Sequence, residues 1–401
     1  MNVLLITQTL TKGGSERTVA KLSNLLAPIF NVYILIIDKS KPIDYPYAGQ
    51  LLFFEDFKPG NKTGLWSKIK TFKAIKKKFA INTSISFLEG PNFNNILSRN
   101  GDKVLVSVRG HKSSFFKTKG LKWKAEEYAI KLLYNFSDAV VAASQGIAED
   151  LVTNFNLKPA KVRAIPNFYE IPEIESQAQQ RLPEYDFIFA NCQVLVTSGR
   201  LSFSKGQNHL LKIFLNLKTQ YPKLKLMILG DGELYEYLLK FAVEHNLKVY
   251  SWNDSVVPDE SYDLFFLGFV SNPFAFISKS TVFVFTSYWE GFPNALAEAI
   301  VCNTPVISSD CLSGPREILF SNLSYTETVS YPLKSASGYL LPNLNVANGS
   351  ELEEVYTIWQ TSIASVLDSG RNSELLFTNE EFLQRFNKEK IGKMWIDLIN
   401  E

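Results

Sequence analysis

The sequence predicts an α/β protein made of two doubly wound parallel-sheet units in tandem. Three observations carry this. The chain has 401 residues, 46% of them apolar, which is more than one ordinary core requires. Short β-rich apolar runs alternate with helical patterns in two successive series. A polar, proline-bearing stretch separates the series.

The first series runs VLLIT (3–7), a helix from Ser15 to Leu26, VYILII (32–37), SISFL (84–88), VLVSV (104–108) and AVVAA (139–143). Ala164-Ile165-Pro166-Asn167-Phe168 closes it, which sets a first domain over 1–170 and a linker over 171–190. The second series, in a domain over 191–379, runs VLVTSG (194–199), a helix over 207–218, KLMILG (225–230), a helix over 233–246, LFFLG (264–268), VFVFTS (282–287) and PVISS (305–309). Residues 380–401 form an amphipathic helix carrying Phe382, Phe386, Ile391, Trp395 and Leu398.

Composition narrows the function. Formal net charge is +2, yet residues 1–180 hold 25 Lys/Arg against 15 Asp/Glu and residues 181–401 hold 17 against 25. The molecule is therefore polarised, with a basic first half. Cys192, Cys302 and Cys311 are odd in number and scattered, which fits a reducing cytosol and no disulfide framework. His111, His209 and His245 are dispersed and no Asp-x-Asp pair occurs, so obligatory metal chemistry is not expected. The opening run Met1-Asn2-Val3-Leu4-Leu5-Ile6-Thr7 reads as a first strand rather than a leader, and no apolar run reaches membrane-spanning length.

Two basic-aromatic stretches stand out. Residues 66–79 interleave Trp66, Ile69, Phe72, Ile75 and Phe79 with Lys68, Lys70, Lys73, Lys76, Lys77 and Lys78. The second runs from Lys112 through Phe115, Phe116, Lys117, Lys119, Lys122, Trp123 and Lys124. Each reads either as a surface for anionic lipid or as an amphipathic helix packed on the sheet. Nothing resembles a nucleic-acid module, so nucleic acid is not an expected partner.

Chemistry concentrates at strand exits, where open α/β sheets bind ligands. Gly13-Gly14-Ser15-Glu16-Arg17 follows the first strand; its glycines allow close backbone approach, Ser15 can cap the helix, and the same glycines equally suit packing. Ser198-Gly199-Arg200-Leu201-Ser202-Phe203-Ser204-Lys205-Gly206 brackets one turn with two cations able to hold a diphosphate and neutralise its charge as it leaves. After VFVFTS comes Glu290-Gly291-Phe292-Pro293-Asn294-Ala295-Leu296-Ala297-Glu298-Ala299. Pro293 belongs in a first helical turn, so Glu290 sits in the loop at the mouth and Glu298 lies on the helix. The amides of Asn294 and Ala295 offer an anion site. Ser313-Gly314-Pro315-Arg316-Glu317-Ile318 is expected to line the same cleft.

These residues resemble the retaining glycosyltransferases of sequence family 4. The resemblance spans the chain through Gly13-Gly14-Ser15-Glu16-Arg17, Ile165-Pro166-Asn167, Gly199-Arg200 with Lys205-Gly206, Leu229-Gly230-Asp231-Gly232, Leu267-Gly268-Phe269-Val270 and the paired Glu290 and Glu298. It implies the GT-B fold, two Rossmann-like domains with an interdomain cleft, and a metal-independent enzyme that needs no cofactor and uses a nucleotide-diphosphate sugar, preferentially a UDP-sugar. Residues 313–318 are similar to members that extend lipid-linked glycans, which implies a lipid-linked or other glycan acceptor and a cytoplasmic protein peripheral on the inner membrane face. A soluble acceptor, or a noncatalytic sugar-nucleotide-binding partner of another transferase, are the alternatives.

Carried over by position, Glu290, Arg200, Lys205 and one of Arg109 or His111 are the catalytic candidates. Many relatives have a histidine where Val106-Ser107-Val108-Arg109-Gly110-His111 puts Arg109 nearest. Gly13 and Gly14 would approach the diphosphate, Glu298 the ribose, Val270 the base, and Gly291, Phe292 and Asn294 the phosphate or sugar. The last helix, 380–401, would return to pack on the first domain.

Overall fold

The computed structural model describes residues 1–58, 60, 64–117, 123–345, 349–370 and 377–401, the Lys117 side chain excepted. Lys119 and Lys122 of the second basic stretch lie outside the described residues. The chain forms two compact units, Met1–Phe168 together with Glu389–Glu401, and Tyr169–Lys388.

The first unit holds β1 (Asn2–Thr7), β2 (Asn31–Ile36), β3 (Gln50–Phe53), β4 (Thr83–Phe87), β5 (Lys103–Val108), β6 (Ala139–Ala142) and β7 (Val162–Ala164). All pair in parallel in the order β3-β2-β1-β4-β5-β6-β7. The chain winds outward from β1 to β3 and then returns to the other side of β1, so the direction of winding switches between β1 and β4. Its helices are α1 (Gly14–Leu26), α2 (Leu65–Lys78), α3 (Glu89–Leu97), α4 (Lys112–Lys117), α5 (Lys124–Leu133) and α6 (Gln145–Phe155). Alternation along β1 sends Val3 and Leu5 into a core shared with α1, and Leu4 and Ile6 into one shared with α2.

That second core takes up the apolar face of α2. Ile69, Phe72 and Ile75 are buried, with Phe72 and Ile75 packed on Leu4, Ile6 and Leu35. Lys76 is buried too. Its ammonium meets Asp102 at 2.8 Å with both side chains out of solvent, and it donates to the Asn95 carbonyl at 3.2 Å. Leu65, Trp66, Lys68, Lys70, Lys73, Lys77 and Lys78 remain exposed. Burial pushes the Lys76 ammonium down to about 8, against the opposing pull of Asp102.

The second unit holds β8 (Val194–Ser198), β9 (Lys225–Leu229), β10 (Val249–Ser251), β11 (Leu264–Phe266), β12 (Val282–Phe285), β13 (Val306–Ser309), β14 (Leu333–Lys334) and β15 (Gly338–Leu341). Their order is β10-β11-β9-β8-β12-β13-β15-β14, parallel except for the β14–β15 pair. Here the winding switches between β8 and β12. The helices are α7 (Ile171–Ala178), α8 (Asp186–Asn191), α9 (Gln207–Gln220), α10 (Tyr235–Glu244), α11 (Pro273–Lys279), α12 (Asn294–Val301), α13 (Pro315–Leu319), α14 (Ser350–Ser369) and α15 (Glu380–Phe386).

Two boundaries differ from expectation. Residues 171–190 are no free linker: α7 lies against α11, with the Gln177 carbonyl accepting from Asn272 at 2.9 Å and the Ala178 carbonyl accepting from Ser278 at 2.8 Å. Its two buried residues, Ile174 and Ala178, one turn apart, leave a stripe too narrow to read against the polar background. The last segment is two helices. In α15, Phe382 and Phe386 pack within the second unit, Phe386 against Phe292 at 5.4 Å between ring centroids. After extended Asn387, α16 (Lys388–Asn400) buries Ile391, Trp395, Leu398 and Ile399 in the first unit's core. Among the described residues no helix is long and apolar enough to cross a membrane.

Removing one partner of the Lys76–Asp102 pair strands a buried charge. Asp102→Ala is expected to lose about 3–5 kcal/mol in chemical denaturation, and the Lys76→Met, Asp102→Leu double variant to lose less than either single one.

Candidate active site

The second unit brings three of the sequence motifs to adjacent strand exits. Gly199 follows β8, Gly230 follows β9 and Gly268 lies just beyond β11. Their backbones are joined, since the Gly199 amide donates to Leu229 at 2.9 Å and the Gly230 amide to Gly268 at 2.7 Å. A Cβ on Gly230 would lie 2.0 Å from the Gly199 carbonyl oxygen at a φ of +145°, so only glycine allows this approach. Val270, two residues beyond Gly268, is half-buried.

Beyond Gly199 the loop runs toward β12 and is latched to it. Gly206 takes a left-handed conformation (φ +64°), and a Cβ there would stand 2.4 Å from the Thr286 carbonyl. Thr286 Oγ1 donates to the Lys205 carbonyl at 2.8 Å, and the Tyr288 amide to the Ser204 carbonyl at 2.8 Å. The result is a single rigid edge spanning the switch point. Across it Lys205 Nζ meets Glu290 Oε1 at 2.5 Å, with side chains 25% and 13% exposed, while the ammonium also sits 5.8 Å above the Phe285 ring. Arg200 is exposed, and its guanidinium has no acidic partner among the described residues. Gln207 Nε2 donates to the Arg200 carbonyl at 3.0 Å and fixes that turn. Sequence reasoning passed over Gln207, because a glutamine at a first helical position carries no chemical signature of its own.

The remaining candidates divide. Gly291 is buried and, with Glu290, gives its carbonyl to Ser313 Oγ at 3.0 and 2.7 Å, so the loop's backbone is held from below. Pro293 caps α12 rather than entering it, and Asn294 is the first helical residue. The Asn294 side chain accepts from the Tyr169 hydroxyl at 3.0 Å. Glu298 is 5% exposed in the body of α12, where its charge helps burial push up the Cys302 thiol. Phe292 is 6% exposed, its ring tilted against that of Phe386.

Arg316 is also engaged within the fold. It is buried, doubly bonded to Asp310 at 2.7 and 2.9 Å, and donates to the Ser324 and Glu327 carbonyls, while Tyr331 closes on Asp310. Those bonds fix the loop after α13 instead of presenting a cation to a ligand.

In the first unit, Gly13 rather than Ser15 precedes α1, and no side chain caps that helix. Gly14 is exposed and the Gly13 amide donates to the Tyr45 hydroxyl at 3.2 Å. Arg109 turns onto this helix start, donating to Asn167 Oδ1 and, at 3.4 Å, to Thr18 Oγ1. Asn167 belongs to the Ile165-Pro166-Asn167 motif, so three distant motifs meet at one end of one sheet. His111 stands apart from them, against Ser114 and Asp150. His209 is a core group, bonded to Tyr356 at 2.6 Å and lowered to about 4 by burial. Among the described residues no three His, Cys, Asp or Glu side chains are grouped as a metal site would need.

Residues 12–171 match the family described as Glycosyltransferase Family 4, and residues 184–326 match Glycosyl transferases group 1. The chain is 30% identical over 319 residues to the N-acetylgalactosamine-N,N'-diacetylbacillosaminyl-diphospho-undecaprenol 4-alpha-N-acetylgalactosaminyltransferase of Campylobacter jejuni, covering 77% of this chain and 80% of that one. The chain belongs to the family 4 glycosyltransferases. It is also 34% identical to an uncharacterized glycosyltransferase of Methanocaldococcus jannaschii, over 60% of this chain and 56% of that protein's length. Among solved structures it is similar to Anabaena HepE in complex with UDP, with a TM-score of 0.72 at 15% identity over all of both chains. Sucrose-phosphate synthase from Thermosynechococcus elongatus gives 0.73 at 16%, covering 100% of this chain and 98% of that one. This glycosyltransferase therefore has the GT-B fold, with a doubly wound sheet in each unit.

The two arginines predict opposite outcomes. Arg316→Met leaves Asp310 buried without its cation and is expected to lower stability by about 3–5 kcal/mol. Arg200→Met is expected to change it by less than about 0.5 kcal/mol, both read from denaturant midpoints.

Proposed function

We propose that this glycosyltransferase moves a hexose or N-acetylhexosamine from a nucleotide-diphosphate sugar, with UDP-sugars favoured, to a lipid-linked saccharide, with retention of anomeric configuration and without a metal. The observation that carries the reading is the Lys205–Glu290 pair at the switch point of the second sheet, beside the exposed Arg200. An ammonium held by a carboxylate on a latched loop is already in place for an anion, so little reorganisation accompanies charge development on the leaving diphosphate. Arg200 adds a bidentate donor. Glu290, on the α12 side of the same edge, is assigned to the sugar, the amides that open α12 to the phosphate or sugar, and Glu298 to the ribose. The leaving diphosphate accepts the acceptor's proton, and no protein base is required. The Campylobacter relative, named for action on an undecaprenol-linked glycan, and the Anabaena structure in complex with UDP support the choice of acceptor and nucleotide.

On the first unit, either Arg109, held by Asn167 and Thr18, or His111, held by Ser114 and Asp150, is assigned to the sugar. The same unit supports a peripheral location on the inner membrane face. The solvent side of α2 offers Lys68, Lys70, Lys73, Lys77 and Lys78 with Leu65 and Trp66 at its start, and α5 with the turn after it exposes Tyr128, Leu132 and Phe136 four residues apart. Each such lysine contributes about 1 kcal/mol near an anionic surface.

Arg200→Ala and Lys205→Ala are each expected to lower transfer from a UDP-sugar on the order of 10² to 10³-fold, measured by nucleotide release. Unchanged turnover would remove the assignment. NMR of the product's anomeric proton tests retention. In flotation, the protein should rise with anionic vesicles and be released by salt; failure to bind at low salt, with transfer to a water-soluble glycan intact, would favour the soluble acceptor.

A further inference from the structure

Gln207 opens α9 immediately after Gly206, and it is 2% exposed. The two ends of its amide fare differently. Nε2 donates to the Arg200 carbonyl at 3.0 Å, whereas Oε1, shut from solvent, accepts no hydrogen bond among the described residues. An amide oxygen buried without a donor is destabilising, and a methionine of nearly the same length would fill the space without it. Packing therefore does not account for a glutamine here. What the residue adds is a donor, and the donor goes to Arg200.

The consequence lies in one peptide plane. In the Arg200–Leu201 peptide the carbonyl accepts from Gln207, and the Leu201 amide donates to the Asp231 carbonyl at 3.0 Å. A trans peptide points those two groups in opposite directions, so both edges are tethered, one to the start of α9 and one to the turn after β9. With the Gly199 amide bonded to Leu229, this fixes the direction in which the Arg200 side chain leaves the backbone. Lys205 depends less on such bracing. Glu290 and the Phe285 ring locate its ammonium, and its stem crosses back over Gly199, where a Cβ would lie 3.7 Å from Lys205 Cε. Arg200 has no acidic partner among the described residues, so its aim is set at Cα.

The same side chain closes the loop on itself. Gln207 adjoins the Lys205-Gly206 end, which Thr286 latches to β12, and it reaches back to the Arg200 end. We propose that Gln207 is a positioning residue that sets the aim of Arg200 relative to Lys205, so that guanidinium and ammonium engage one diphosphate together. This rests on the reading of Arg200 and Lys205 as diphosphate ligands. Gln207 acts through Arg200 and not by contact with the substrate. A misaimed guanidinium is felt most where charge builds on the leaving diphosphate, so the loss falls on kcat more than on KM.

The test compares Gln207→Met, Arg200→Met and the double variant in the full chain, using whichever of a panel of UDP-hexoses and UDP-N-acetylhexosamines turns over best, read by UDP release. Gln207→Met should melt within about 2 °C of the unaltered protein or above it, since the stranded oxygen is gone. It should nonetheless lower kcat about 5- to 30-fold with KM within about twofold. Amide hydrogen exchange at Leu201 should quicken about tenfold while the β8 amides keep their protection. In the Arg200→Met background Gln207→Met should cost less than about twofold. Losses that multiply in the double variant, unchanged exchange at Leu201, or a fully active Gln207→Met each overturn the proposal. Should the methionine variant not fold, Gln207→Asn, one methylene short of the Arg200 carbonyl, carries the same comparison. Turnover indifferent to Arg200→Met would remove the diphosphate reading and the positioning role with it, whereas a loss in Arg200→Met with none in Gln207→Met removes the positioning role alone.

Discussion

The ammonium of Lys205 and the carboxylate of Glu290 meet where the second sheet reverses its winding, and most of what surrounds them follows from that meeting. At a switch point the chains leaving adjacent strands diverge to opposite faces of the sheet, opening a crevice at the carboxyl edge. A partly exposed pair in such a crevice contributes little to stability. Its effect is order: each charge restrains the other. The latches from Thr286 and Tyr288 to the Lys205 loop serve the same end through the backbone, and Gly206 makes them possible by taking a conformation that side chains disfavour.

The first sheet repeats the topology with different chemistry. Its switch lies between β1 and β4, and the groups gathered at its carboxyl edge are the exposed Gly14, with Arg109, Thr18 and Asn167 tied to one another. Here the polar groups satisfy each other through hydrogen bonds instead of presenting a separated charge pair.

Much of this was legible in the residues. The long central strands announced themselves because both faces of a parallel sheet are covered, so VLLIT or VFVFTS reads as an unbroken apolar run. β3, β7, β10, β14 and β15 did not, being two to four residues long. Lys205 and Glu290 stood out in the sequence because charge at a strand exit is chemically conspicuous, and the structure pairs them. The surroundings of Phe292 and Arg316 were not legible, for the complementary reason. Both sit in motifs that look functional, yet one completes an aromatic cluster with Phe382 and Phe386 and the other saturates its donors on Asp310 and two carbonyls. Sequence spacing does not reveal which partner a side chain satisfies across the fold. Lys76 shows this most plainly: one of three consecutive lysines, it alone turns inward, because Asp102 waits at its position on the helix.

The first unit is discontinuous, because 220 residues of the second, Tyr169 to Lys388, interrupt it before α16 supplies Trp395 to its core. During synthesis the intervening unit is complete while its host still lacks a wall. The α16 segment, made after the second unit, therefore closes the earliest stretch to be made, and a nascent chain halted before α16 would carry a finished second unit beside an unsealed first one.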